Sequence, residues 1–132
     1  MVLLRKYGAS SSFITKAWDD IKEQYYGDDR YYHDLWHLET MFKEYDSVKA
    51  NLQNADETAF SIFYHDFIYN PIRRDNEKRS AKRMRRILRK TNFENIDYCY
   101  QQILATKYHK PSEDRDTNYL LDMDLVTLTM RC

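Results

Sequence analysis

The amino-acid sequence predicts an all-α protein of five to six helices in a single domain spanning residues 1–132. Three observations carry this prediction. The 132 residues include only 2 Gly and 2 Pro, too few turn-formers for an all-β chain. Apolar residues, 42% of the chain, fall at three- and four-residue spacings in segment after segment. Charged residues make up another 32%, the balance of a globular chain and not of a disordered one. This length suits one domain with one core.

The elements follow in order. The serines at 10–12 can cap a first helix from Ser12 to Tyr26, with Phe13, Ala17, Ile21 and Trp18 as its apolar stripe. Gly27 offers a stop. A second helix covers Tyr31–Val48 and turns His33 or Trp36, His37, Met41 and Tyr45 inward. Asn54 to Glu57 resemble a capping box that opens a third helix through Phe60, Phe63 and Tyr64. Pro71 ends whatever follows His65 and Asp66. The fourth segment, Asp75 to Lys90, is the most clearly amphipathic: Ala81, Met84, Ile87 and Leu88 share one face and basic residues cover the rest. A fifth helix runs from Glu94 to Tyr108 on Ile96, Cys99, Tyr100, Ile103 and Leu104, and Pro111 breaks it. Asp116 can cap a sixth from Thr117 onward.

Several function classes are set aside by composition. Net charge is zero, so the whole molecule has no bias toward nucleic acid or membranes. No apolar run approaches eighteen residues, and the N-terminal apolar stretch is too short for a secretory signal. The 2 cysteines, Cys99 and Cys132, make no disulfide framework, and a cytoplasmic, reducing setting is expected. Arg73 to Lys90 holds ten Lys or Arg against two acids. It could steer a phosphorylated substrate or touch nucleic acid, but the solvated face of an amphipathic helix is the preferred reading.

The chemistry lies in the histidines. All 4 stand in apolar segments with carboxylates to match. His33 and His37, four apart, share one side of a helix and could share a metal or divide the roles of ligand and supporting donor. A surface or core pair is the plain alternative. His65 is followed by Asp66, and neighbours on a helix point about 100° apart. Both reach one ion only near a helix end or bend. A carboxylate buried among Ile62, Phe63, Phe67 and Ile68 without a cation would be costly. The alternative is an exposed helix-terminal Asp66 beside a core histidine. Asp122 and Asp124 flank Met123 and point nearly opposite ways. Asp124 shares the face of Leu120, Leu121 and Leu128, so it is preferred as the inward one. His109 closes the segment Ile103 to His109, just past the end of the fifth helix. Glu77, if inward, would need a partner such as His33, Arg30 or a backbone donor. Placed in the first turn, it would simply favour the helix dipole.

Taken in order, these residues resemble the HD superfamily of metal-dependent phosphohydrolases, and among them the small predicted HD-type phosphohydrolases. The resemblance rests on Tyr32-His33 to His37, on His65-Asp66, on Asp75-Asn76-Glu77 to Ser80-Ala81, on Thr106 to His109, and on Leu121-Asp122 to Leu125. It covers Arg30 to Leu128. Each motif is unspecific; five in order at compatible spacing are much less so. The resemblance implies an HD-domain-like helical bundle around a divalent metal held by His37, His65, Asp66 and Asp124. It implies a catalytic role for Asp66, orienting or deprotonating the water, and places His33 and His109 nearby as further ligands or as phosphate and acid-base partners. Mixed imidazole and carboxylate ligands suit Mn, Fe, Co, Ni, Zn or Mg without choosing among them. The implied reaction is hydrolysis of a phosphate ester by a metal-activated water, on a nucleotide or another small phosphorylated metabolite. The alternative is an inactive HD-like domain that keeps the metal for structure or ligand sensing. Members of the resembled branch continue for several helices beyond the position of Asp124. With the present chain ending at Cys132, the expectation is a short form with an open pocket, a homo-oligomer that covers the exposed surface, or a truncated domain that lacks C-terminal helices and with them residues needed for activity.

Overall fold

The structure, a computed structural model, describes residues 2–25, 35–70 and 72–131, with side chains through Val126. Among the described residues, seven α-helices follow one another: α1 Val2–Lys6, α2 Ser11–Tyr25, α3 Leu35–Val48, α4 Ala55–Tyr64, α5 Asn76–Leu88, α6 Ile96–Ala105 and α7 Arg115–Arg131. A 3-10 turn, Lys49–Asn51, follows α3. Among the described residues there is no strand, so the all-α class holds. Among them, too, no helix is long and apolar enough to cross a membrane.

α4 is the hub. It packs against α3, α5, α6 and α7, and α5 pairs with α6. Its sequence explains the position: Thr58, Ala59, Phe60, Ser61, Ile62 and Tyr64 are all buried, so little of its body faces water. Phe60, Ile62 and Tyr64 are fully buried, each contributing roughly 2 kcal/mol by transfer from water. α5 shows the opposite pattern. Ser80, Ala81, Met84 and Leu88 face inward and the charged residues lie outside.

Several elements differ from the sequence expectation. α1 was not anticipated, because five residues are too short to show a period. Leu4 anchors it at 0% exposure. Tyr7 then meets Phe93 edge-on at 4.9 Å, and Phe60 completes the aromatic cluster. Gly8 takes φ 86° against Asn92, where a Cβ would strike the Asn92 amide. In α2 the buried stripe is Ile14, Ala17, Ile21 and Tyr25. Phe13 is half-buried, and Trp18, at 36% exposure, lies on the rim. The cap is Ser10, whose Oγ accepts the Phe13 amide. The expected capping box at Asn54 does not form, since the Asn54 side chain makes no cap bond. Glu57 accepts instead from Asn95 Nδ2.

Asp116 does not cap the last helix. Asp114 does, accepting from the amide and hydroxyl of Thr117. Asp116 is 1% exposed and accepts from the amides of Gln53 and Asn54 instead, which ties α7 to the start of α4. The fifth expected helix is shorter than Glu94–Tyr108. It stops at Ala105, where the Thr106 hydroxyl donates to the Ile103 carbonyl. Tyr26, Gly27, residues 31–34, His33 among them, and Pro71 lie outside the described residues.

Candidate metal centre

Three helices deliver the cluster. His37 lies near the start of α3, His65 is the C-cap of α4, and Asp124 sits in α7. Asp66 follows His65, past the last α4 residue, Tyr64. The backbone has left the helix there, so two adjacent side chains turn toward one point. His37 is 0%, His65 1%, Asp124 3% and Asp66 9% exposed. One ligand atom from each of the four falls within 4.8 Å of the others, so the group can hold a metal ion. Asp122 is exposed.

The carboxylate of Asp124 is divided. Its Oδ1 lies 3.0 Å from His37 Nε2 and 3.3 Å from His65 Nε2. Its Oδ2 lies 2.6 Å from His109 Nε2. Asp66 Oδ2 stands 2.9 Å from His65 Nε2 and 3.7 Å from His37 Nε2. His109 reaches Asp124 from beyond α6 with φ 52°, a left-handed backbone that histidine tolerates better than most residues.

His65 is the informative ring. Its Nδ1 lies 2.7 Å from the Ile62 carbonyl, which can only accept, so Nδ1 carries the proton. In the neutral ring Nε2 is then a lone pair with two carboxylates close by. Nε2 is fully buried and makes no hydrogen bond of acceptable geometry, although Asp66 is within ion-pair distance. Such an arrangement is tenable only with a positive charge between the groups, either a proton or a metal ion. A carbonyl that fixes the tautomer from behind is the usual support of a ligating histidine. The donor set therefore fits a divalent ion.

The electrostatics agree. Burial pulls the His65 pKa down, but the Asp66 charge and the hydrogen-bonding reach of Asp124 and Asp66 outweigh it, and the result is well above the ordinary value. Burial would raise Asp124, yet His109, His37 and His65 hold it far below the carboxylate range. His109 is raised, chiefly by its hydrogen bond to Asp124.

Two other expected features lie elsewhere. Glu77 is half-buried in the first turn of α5 and lines a cleft of about 240 Å³ with Lys78, Leu104 and Lys107. The basic stretch is partly absorbed locally: Arg85 lies 4.0 Å over the Tyr100 ring, and Arg73 pairs with Asp75. Arg83, Arg86 and Lys90 line a groove of about 220 Å³ with Phe13, Ala17 and Asp20 of α2, apart from the histidine cluster. Sequence reasoning did not find the work of Asn76 and Ser80, whose side chains bind the backbone just after Asp66. The available signal was a small polar residue, Ser80, on the apolar face of Ala81 and Met84.

No family model matches the chain, and neither the curated proteins nor the solved structures yield a match.

Proposed function

We propose that this chain is a metal-dependent phosphohydrolase of the HD type, acting on a nucleotide or another small phosphorylated metabolite. The observation that carries the metal centre is the orphaned His65 Nε2, buried against two carboxylates with its other nitrogen committed to Ile62. The phosphohydrolase chemistry rests on the ordered resemblance from Arg30 to Leu128. His37, His65, Asp66 and Asp124 would hold the ion. When bound, it would supply Lewis acidity toward water and a phosphoryl oxygen. Asp66 is the most accessible of the four, and its role is to accept a proton from the attacking water. His109, whose side chain is 23% exposed and whose Nε2 lies 2.6 Å from Asp124 Oδ2, is placed to donate a proton to a leaving oxygen.

A second reading is an HD-like domain that keeps the metal for structure or ligand sensing. The near-complete burial of His37, His65 and Asp124 favours it. Elemental analysis combined with turnover of a generic phosphate ester separates the two. The enzyme reading expects stoichiometric metal and metal-dependent turnover that His65→Ala and Asp66→Ala abolish. It also expects His109→Ala to keep the metal while losing turnover by roughly 10²-fold or more. Metal without turnover supports the second reading. A protein with neither metal nor a thermal response to divalent ions removes both.

A further inference from the structure

The geometry points to Asn76 and Ser80 of α5 as positioning residues that hold Asp66 in the cluster, an inference that rests on the metal reading proposed above. Asp66 can meet His65 only because the chain leaves the helix beyond His65, which still has helical dihedrals and its amide bond to the Ser61 carbonyl. That exit creates a difficulty. The Phe67 amide still donates to the Tyr64 carbonyl, but the backbone beyond has left the helix and needs other partners.

α5 supplies them through side chains. Ser80 Oγ accepts the Ile68 amide at 2.9 Å and donates to the Ile68 carbonyl at 3.1 Å. Asn76 Oδ1 accepts the Asn70 amide at 3.0 Å, and Asn76 Nδ2 donates to the Asn70 carbonyl at 2.9 Å. Two residues four apart on one helix thus engage both backbone groups of alternate residues, 68 and 70, as a neighbouring strand would. Ser80 is 0% exposed between residues that pack the core, and alanine would fill the space without a hydroxyl to satisfy.

Packing alone does not replace these bonds. Phe67 is fully buried against Tyr64, with ring centroids 5.4 Å apart, and this fixes where the segment lies. An apolar contact is non-directional and leaves the peptide planes free to rotate. Hydrogen bonds to both groups of Ile68 and Asn70 set that rotation. Asp66, two residues from Ile68, then keeps its Oδ2 at 2.9 Å from His65 Nε2. Direct hydrogen-bond partners of a ligand are typically worth roughly 10- to 100-fold in metal affinity; Ser80 and Asn76 act one step further out, through the backbone, so the lower end of that range applies.

The test is Mn²⁺ affinity, measured by chelator competition on the full chain. Ser80→Ala is expected to weaken Mn²⁺ binding by about tenfold. Asn76→Asp keeps the acceptor for the Asn70 amide and loses the donor, so it should fall between wild type and Asn76→Ala. Because Asn76 is only half-buried, this pair keeps the test open if Ser80→Ala does not fold. Leu4→Ala, destabilised at a remote core position, should leave Mn²⁺ affinity unchanged. The deciding readout is the double variant: once Asp66→Asn has removed the carboxylate, adding Ser80→Ala should cost no further affinity. Unchanged affinity in both Ser80→Ala and Asn76→Ala would overturn the inference, as would an equal further loss in the Asp66→Asn background. Wild-type protein that binds no Mn²⁺ or other divalent ion would instead remove the metal reading, and the inference with it.

Discussion

Two groups of buried polar side chains lie along α4, and they solve the same problem differently. In the body of the helix, Ser61 Oγ donates to Gln102 Oε1 at 2.6 Å, and Gln102 Nε2 donates to Thr58 Oγ1 at 3.2 Å and to Tyr98 OH at 3.4 Å. Tyr98 in turn donates to Asp114. Its buried members are neutral, and each finds a partner within the protein. At the C-terminal end of the same helix, His65 faces Asp66 and Asp124, and its Nε2 makes no well-formed hydrogen bond. Both groups are out of water. The neutral one closes on itself and has a structural purpose sufficient to explain it. The charged one closes only when something positive sits in it. Buried polarity alone is therefore a poor guide to a site, and so is a lone unsatisfied atom, since Tyr64 OH and Arg85 Nε are also without a hydrogen bond; an unbalanced cluster of ionisable groups is a better one.

The sharpest way to break this contrast is a divalent ion. At about 100 times its dissociation constant, Mn²⁺ should stabilise the wild-type protein by roughly 2.7 kcal/mol, an upward Tm shift of roughly 10 °C. Asp124→Asn removes the carboxylate that His37, His65 and His109 share, so the shift should vanish. Calorimetry with and without Mn²⁺ decides it. A full shift surviving in Asp124→Asn would show that the ion binds elsewhere.

The neutral group should respond in the reverse manner. Gln102→Ala leaves Thr58 Oγ1 without its donor and Ser61 Oγ with only the long, 3.5 Å bond to the Cys99 carbonyl, both in a buried space. Unsatisfied hydroxyls and the lost packing together should cost about 2 kcal/mol in urea unfolding. The Mn²⁺ shift should be the same size as in wild type. If Gln102→Ala reduced it as strongly as Asp124→Asn does, the two groups would be one coupled network and the contrast would fail.

The sequence carried the helical class and much of the core, because those signals are local. Ala81, Met84 and Leu88 show the helical period within their own segment and are buried. Failures came where two local choices were equal and a distant partner decided. Phe13 and Ile14 can each start the α2 stripe, and packing against the rest of the bundle selects Ile14. Asp114 and Asp116 are both plausible caps. Asp116 is claimed by the amides of Gln53 and Asn54, some sixty residues away, and Asp114 takes the cap. The candidate site divides in the same way. Adjacent His65 and Asp66, and an aspartate on the leucine face of α7, are visible as residue types. Their approach to one point depends on how α3, α4 and α7 cross, which no single segment encodes. Asn76 and Ser80 stand out in the sequence as motif residues, but their role was harder to see, since their partners are backbone groups of an irregular segment.

The smallest expected effect tests where the neutral group meets charge, at Asp114. Burial pushes the Asp114 pKa up, but bonds from Tyr98 and Thr117 more than offset this and leave it lowered. A lowered carboxylate pKa contributes stability that is complete above the unfolded value near pH 4 and is lost as the pH falls through the folded value. Tyr98 is shifted the other way, raised by burial and then by its hydrogen bond to Asp114. Its contribution is complete below the unfolded value near pH 10 and is lost at more alkaline pH. The Tyr98–Asp114 bond should thus weaken at both extremes of pH. Asp114→Asn should flatten the acid limb of a stability–pH curve by about 1 kcal/mol or less, because the carboxylate is partly in water. Tyr98→Phe should flatten the alkaline limb and reduce the acid one, since Asp114 loses its donor. An acid limb unchanged in both variants would place the acid sensitivity outside this group, at other lowered carboxylates such as Asp124 or Asp56.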